Sequence, residues 1–89
     1  MNIEKDYIKL IFGLKLKQAR MNKDLSLFGL AKITDLSKSY LNEIEKGKKY
    51  PKRDKIVLLS EALETTYDQL VSLKLDKNLA PIGEILQSR

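Results

Sequence analysis

Eighty-nine residues suffice for one hydrophobic core but not two, and 43% apolar with 33% charged residues describes a globular chain rather than a disordered one. Cys and His are both absent, so a disulfide framework, a thiolate metal site and triad chemistry are not expected, and no cofactor or metal site is visible. Seventeen Lys and Arg against twelve Asp and Glu leave a net charge of +5, which suits a polyanionic partner without identifying one.

From about Asp6 to Met21, Ile8, Phe12, Leu16 and Ala19 recur at spacings of four, four and three, which predicts the apolar face of a first helix. Lys9, Lys15 and Lys17 are expected mostly off this stripe, and Glu4 and Asp6 lie where the helix dipole favours negative charge. Asn22, Lys23 and Asp24 break the pattern and read as a connector. Ser26 is placed to cap a second helix, its hydroxyl accepting from an otherwise unpaired amide of the first turn. Leu27, Leu30, Ala31 and Thr34 form that helix's inner face, while Gly29 weakens it by about 1 kcal/mol relative to Ala.

Asp35 and Leu36 make a short break before Ser37, a second N-cap, starts a third helix that runs through Leu41 and Ile44 to about Lys46. Gly47 ends it. Leu36, Leu41 and Ile44 are expected inside; Lys38, Ser39, Asn42, Glu43 and Lys46 are left outside. Residues 48–52 form a basic loop in which Pro51 disfavours helix at Tyr50. A fourth helix follows from about Arg53 to Leu63, with Ile56, Leu59 and Leu63 on one face. Thr66 with Gln69 is a capping-box pattern for a fifth helix from Tyr67 to about Leu73, where Leu70 and Val71 close the core. Beyond Lys74 the signal fades, although Pro81 followed by Ile82, Ile85 and Leu86 fits a short extra C-terminal helix, marginal unless it packs on something. The expected fold is all-α: five helices in one compact domain over residues 1–73, with residues 74–89 a tail that serves dimer contact or linkage.

Two short helices, each capped at its start, match a helix-turn-helix between about Ser26 and Lys46, and their place as second and third of five narrows the choice. Leu25-Ser26 with Leu30-Ala31, then Leu36-Ser37-Lys38-Ser39-Tyr40-Leu41, then Ile44-Glu45-Lys46-Gly47 with Pro51, resembles the phage repressor and Cro-like, XRE-type family over about residues 8 to 73. The resemblance implies a lambda-repressor-like domain that binds double-stranded DNA sequence-specifically, with the helix at about residues 37–46 in the major groove. It further implies repressor-like transcriptional control and a homodimer on a two-fold related operator. It also implies a largely buried ion pair between Arg20 and Glu45, joining the first helix to the third. Three residues depart from the pattern: Leu27 stands where Gln is frequent, and Phe28 and Gly29 replace polar residues. Leu27 is expected to pack instead; Phe28 is expected as a satellite of the core, the other reading being a partner surface if it is exposed. Asp35 takes a turn position where Gly is common, and Asp tolerates a left-handed backbone better than most residues.

Short polar side chains near the start of a capped helix can approach base edges while its amides meet phosphate. Lys38, Ser39, Asn42 and Glu43 are therefore the candidate base readers: Lys donating to guanine, Asn pairing with adenine, Glu accepting from cytosine, Ser tolerating several bases. Residues 46–55 hold six basic residues in ten, and Lys46, Lys48, Lys49, Tyr50 and Lys52 are the candidate phosphate contacts. A solvated polar helix face and a solubilising loop are the bland alternatives for the two groups.

The competing functional reading is a protein-interaction module on the same fold, for instance the antitoxin half of a toxin pair, with the tail meeting a protein partner. No acid-base pair or phosphate-cradling glycine loop suggests an enzyme. The longest apolar run falls far short of the roughly 20 residues a bilayer needs, and no signal-peptide pattern opens the chain, so a cytoplasmic location is expected.

Overall fold

A computed structural model describes residues 3–74, and its element order is all-helical: α1 (Ile3–Asn22), α2 (Leu27–Thr34), α3 (Lys38–Glu45), α4 (Arg53–Ala62) and α5 (Tyr67–Val71). The three short helices with predicted caps have them. Ser26 Oγ accepts from Gly29 N at 2.9 Å, Ser37 Oγ from Tyr40 N at 3.0 Å, and Thr66 Oγ1 from Gln69 N at 3.0 Å, the last completed by the return bond from Thr66 N to Gln69 Oε1. Each cap satisfies an amide that the helix itself leaves unpaired. α1 begins about three residues before the predicted start and α5 stops at Val71 rather than Leu73, whose side chain is exposed. The predicted helix from Pro81 lies outside the described residues.

The core is built from Phe12 and Leu16 of α1, Leu30 of α2, Leu41 and Ile44 of α3, Ile56 and Leu59 of α4, Leu63 just beyond it, and Leu70 of α5. Every helix thus contributes to one cluster, and Leu25, Leu27, Ala31 and Leu36 pack against it from the helix-turn-helix side. Two expectations for α1 change. Ile11, outside the predicted stripe, is fully buried, whereas Ile8 is half-buried. Lys15, expected mostly off the stripe, is 9% exposed, and its Nζ donates to the Gln69 carbonyl of α5 at 3.4 Å. A long aliphatic stem lets lysine cover apolar neighbours while its ammonium reaches a polar acceptor, and periodicity does not register that.

Phe28 also departs from expectation. It is 62% exposed and stands outside the core cluster, with Lys32 Nζ 5.9 Å from its ring centroid. On α2 the inward arc is filled by Leu27, Leu30, Ala31 and Thr34, so residue 28 falls on the rim.

Three helix ends share one turn geometry. Beyond α1, Asp24 N and Leu25 N donate back to Met21 O and Arg20 O; beyond α3, Gly47 N and Lys48 N donate to Ile44 O and Glu43 O; beyond α4, Glu64 N and Thr65 N donate to Glu61 O and Ser60 O. Each is a Schellman turn with its pivot in left-handed backbone, at φ 56° for Asp24, 77° for Gly47 and 54° for Glu64. Between α2 and α3, Asp35 takes φ 60°, and the Thr34 hydroxyl links the two sides by donating to Leu30 O and accepting from Leu36 N.

Candidate nucleic-acid interface

The placing of α3 begins with a residue that sequence periodicity passes over. At Gly13, in the middle of α1, a Cβ would meet the carbonyl oxygens of Ile44 at 2.4 Å and Glu45 at 2.8 Å, so the backbones of α1 and α3 approach as closely as only glycine allows. At the end of α3, Gly47 packs against Leu10: a Cβ there would lie 3.1 Å from the Leu10 Cα. The C-terminal end of α3 is therefore seated on α1 at two successive points.

Arg20 fastens the same end by charge. Its Nε donates to Glu45 Oε2 at 2.7 Å and its Nη2 to Oε1 at 3.0 Å, a two-pronged pairing in which the side chains are 11% and 5% exposed. A third donor, Nη1, reaches the Leu25 carbonyl at 2.7 Å and ties in the connector before α2. The hydrogen bonds to Glu45 raise the pKa of the guanidinium further, against the opposing effect of burial. One arginine thus fixes α1, the connector and α3 relative to one another.

With its inner face anchored, α3 turns the rest outward. Lys38 and Ser39 are exposed at its start, and Asn42 and Glu43, one turn later, are half-buried at its flank. After α3, Lys46, Lys48, Lys49 and Lys52 are all exposed. Tyr50 differs from its neighbours: its ring lies 5.0 Å from that of Phe12, it is half-buried, and burial raises the pKa of its phenol. Its ring belongs to the rim of the core, which leaves the hydroxyl for any polar contact. Pro51 beside it is buried, so the loop is pinned between two cationic stretches.

The structure brings together two groups that the sequence presents as separate. Glu43 of α3 and Lys49 of the loop meet, Oε1 to Nζ, at 3.2 Å, and the same ammonium lies 5.7 Å from the ring centroid of Tyr40. Spacing alone gives Tyr40 no role, because its neighbour arrives only after the chain has turned at Gly47.

The result is a capped, outward-facing helix anchored by glycine contact and a buried ion pair, bordered by a cationic loop. A helix-turn-helix family model, HTH_3, matches residues 16–70. The chain belongs to this family. The control protein C.BamHI of Bacillus amyloliquefaciens is 39% identical over 57 residues, which are 63% of this chain and 70% of that protein. Among solved structures, the restriction-modification controller protein C.AhdI from Aeromonas hydrophila superposes with a TM-score of 0.67 at 31% identity, over 70% of this chain and 94% of that one. An HTH_3 family transcriptional regulator from Vibrio cholerae gives a TM-score of 0.70 at 25% identity, over 94% of this chain but 43% of that protein, so this chain spans under half of it. As an HTH_3 protein the chain is a DNA-binding regulator of transcription whose partner is double-stranded DNA. These relatives do not favour the antitoxin reading. Among the described residues no helix is long and apolar enough to cross a membrane.

Proposed function

We propose that the chain is a controller-type transcriptional regulator that binds a two-fold related operator as a homodimer, each copy laying α3 in the major groove. Lys38, Ser39 and Asn42 meet base edges, with Glu43 on the flank of the same face; Lys46, Lys48, Lys49 and Lys52, with the Tyr50 hydroxyl, hold phosphates. The observation that carries this reading is the contrast across α3: the Gly13 contact and the Arg20–Glu45 pair on one side, and an exposed polar start after the Ser37 cap on the other. A helix that reads bases must be held in place by contacts other than those it makes with DNA.

Electrostatics support the phosphate assignment. α4 begins with Lys52 in the cap position, without a side-chain cap bond, and its first turn holds both Arg53 and Asp54, the Asp54 carboxylate lying 3.5 Å from Lys55 Nζ. Cations at the positive end of a helix dipole are unfavourable by themselves. A phosphate beside Lys52 and Arg53 meets those cations and the dipole together, the charge of Asp54 being partly offset by Lys55. The controller assignment rests on the likeness to C.BamHI and C.AhdI, the latter covered over nearly its whole length. Regulation of a restriction-modification operon, from a cytoplasmic location, is the corresponding proposal for this chain.

Selection of duplexes from a random pool, followed by salt titration on the winning sequence, tests the reading. A pair of related half-sites about one helical turn apart is expected, with affinity falling steeply as salt rises. Lys48→Ala with Lys49→Ala should weaken binding to all sequences and flatten the salt dependence, by roughly 0.9 in slope for each phosphate no longer neutralised. Recovery of no preferred sequence overturns the proposal.

A further inference from the structure

We propose that Glu43 is a positioning residue for Lys49, holding this loop cation in register with the reading face of α3, rather than an independent reader of cytosine. The inference rests on the operator-binding function proposed above and refines it at one site.

Glu43 engages the loop twice. Its backbone carbonyl accepts from Lys48 N at 2.9 Å in the Schellman turn, and its carboxylate meets Lys49 Nζ at 3.2 Å. The turn at Gly47 sends the chain back along α3, so residue 49 returns to the level of residue 43. Tyr40 and Glu43 are three residues apart and so share one flank of the helix. The Lys49 ammonium lies over the Tyr40 ring at 5.7 Å and against the Glu43 carboxylate, and the flank therefore supplies both a platform and an anchor.

The chemistry of the groups fits this role. A lysine ammonium has three donors, so engaging one carboxylate leaves donors for a phosphate oxygen. The pair is partly open to solvent, at 53% and 39% exposure, which makes it loose enough to share its cation with DNA. A free lysine on a loop satisfies a phosphate in almost any docking register, whereas a lysine tethered to the recognition helix favours the register that the helix itself reads. The tether thereby converts part of a sequence-blind attraction into discrimination, and a carboxylate near the duplex also penalises binding in which Lys49 does not screen it.

A double-mutant cycle decides between positioning and reading. Operator and non-specific duplex affinities are measured for the native chain, Glu43→Gln, Lys49→Ala and the double variant, with the fold of each checked by circular dichroism. Positioning predicts that Glu43→Gln lowers the ratio of operator to non-specific affinity by about two- to fivefold. That loss should fall evenly over base positions and vanish in the Lys49→Ala background. Lys49→Arg, which keeps the cation, should retain most of the ratio. A loss at a single base pair that persists when Lys49 is Ala makes Glu43 a reader and overturns the inference alone, as does an unchanged ratio in Glu43→Gln. A native chain that shows no operator preference overturns the proposed function itself, and this inference with it.

Discussion

The two flanks of α3 are made of the same eight residues yet follow different rules. On the α1 side, backbone meets backbone at Gly13, and a half-buried arginine pairs with a buried glutamate; every group there is fixed by another. On the open side, Ser39 and Lys38 stand in solvent, and Asn42 and Glu43 border it. The first flank decides where the helix is, and the second decides what it touches. Substitutions on the two flanks should therefore be separable: those on the first act through stability and presentation, those on the second through choice of sequence.

The largest break is expected at the ion pair. Glu45→Ala leaves the largely shielded Arg20 guanidinium with the Leu25 carbonyl but without its carboxylate, at about 3 kcal/mol, the low end for breaking a buried pair. Urea unfolding should report the loss, and DNA affinity should fall for all sequences together. Gly13→Ala comes next. The new methyl meets backbone oxygens rather than a yielding side chain, so α1 and α3 must separate, at about 1 to 3 kcal/mol for overpacking. If α3 is displaced rather than unfolded, the variant keeps its helical circular dichroism while operator binding weakens.

Across the helix the expected outcome changes in kind. Lys38→Ala with Asn42→Ala should leave the urea midpoint nearly unchanged and relax discrimination at the base pairs they meet, by about 1 to 3 kcal/mol for each bidentate pairing removed. A selected sequence identical to that of the native chain would remove these residues from the reading set. The smallest effect belongs to a site remote from either flank. Lys23, in the connector after α1, hydrogen-bonds Glu64 in the turn after α4, and this bond, followed by the charge of Lys23, lowers the pKa of the carboxyl. Because the folded-state value is depressed, the contribution is present above the ordinary carboxylate range and is lost as pH falls through the folded-state value. Glu64→Gln should thus slightly flatten the decline of the urea midpoint between about pH 5 and pH 3, with no change at the DNA-binding flank.

What can be read from the sequence is what is local. Ser26, Ser37 and Thr66 announce three helix starts because a cap is made within four residues of itself, and the apolar spacings of Leu30, Leu41, Ile44, Ile56 and Leu59 locate the shared core. Gly13 is invisible because nothing near it in the chain says that the carbonyls of residues 44 and 45 will lie against it. Lys15 and Phe28 depart from the pattern in opposite senses: the first buries its stem and reaches α5, and the second falls on the rim of a helix too narrow to cover it. The Glu43–Lys49 pair depends on the reversal of chain direction at Gly47, and only the folded backbone brings its members to one level.

The left-handed turns have a consequence for how the domain comes apart. Asp24, Asp35 and Glu64 carry side chains in a backbone conformation that an isolated chain seldom adopts, and α2, α3 and α4 are only eight, eight and ten residues long. Neither the turns nor the short helices persist unaided; each exists because the assembled core holds the chain ends that flank it. Loss of any one helix removes the support of the others, so melting of the described domain should be all-or-none, with helical circular dichroism and tyrosine fluorescence falling along the same curve.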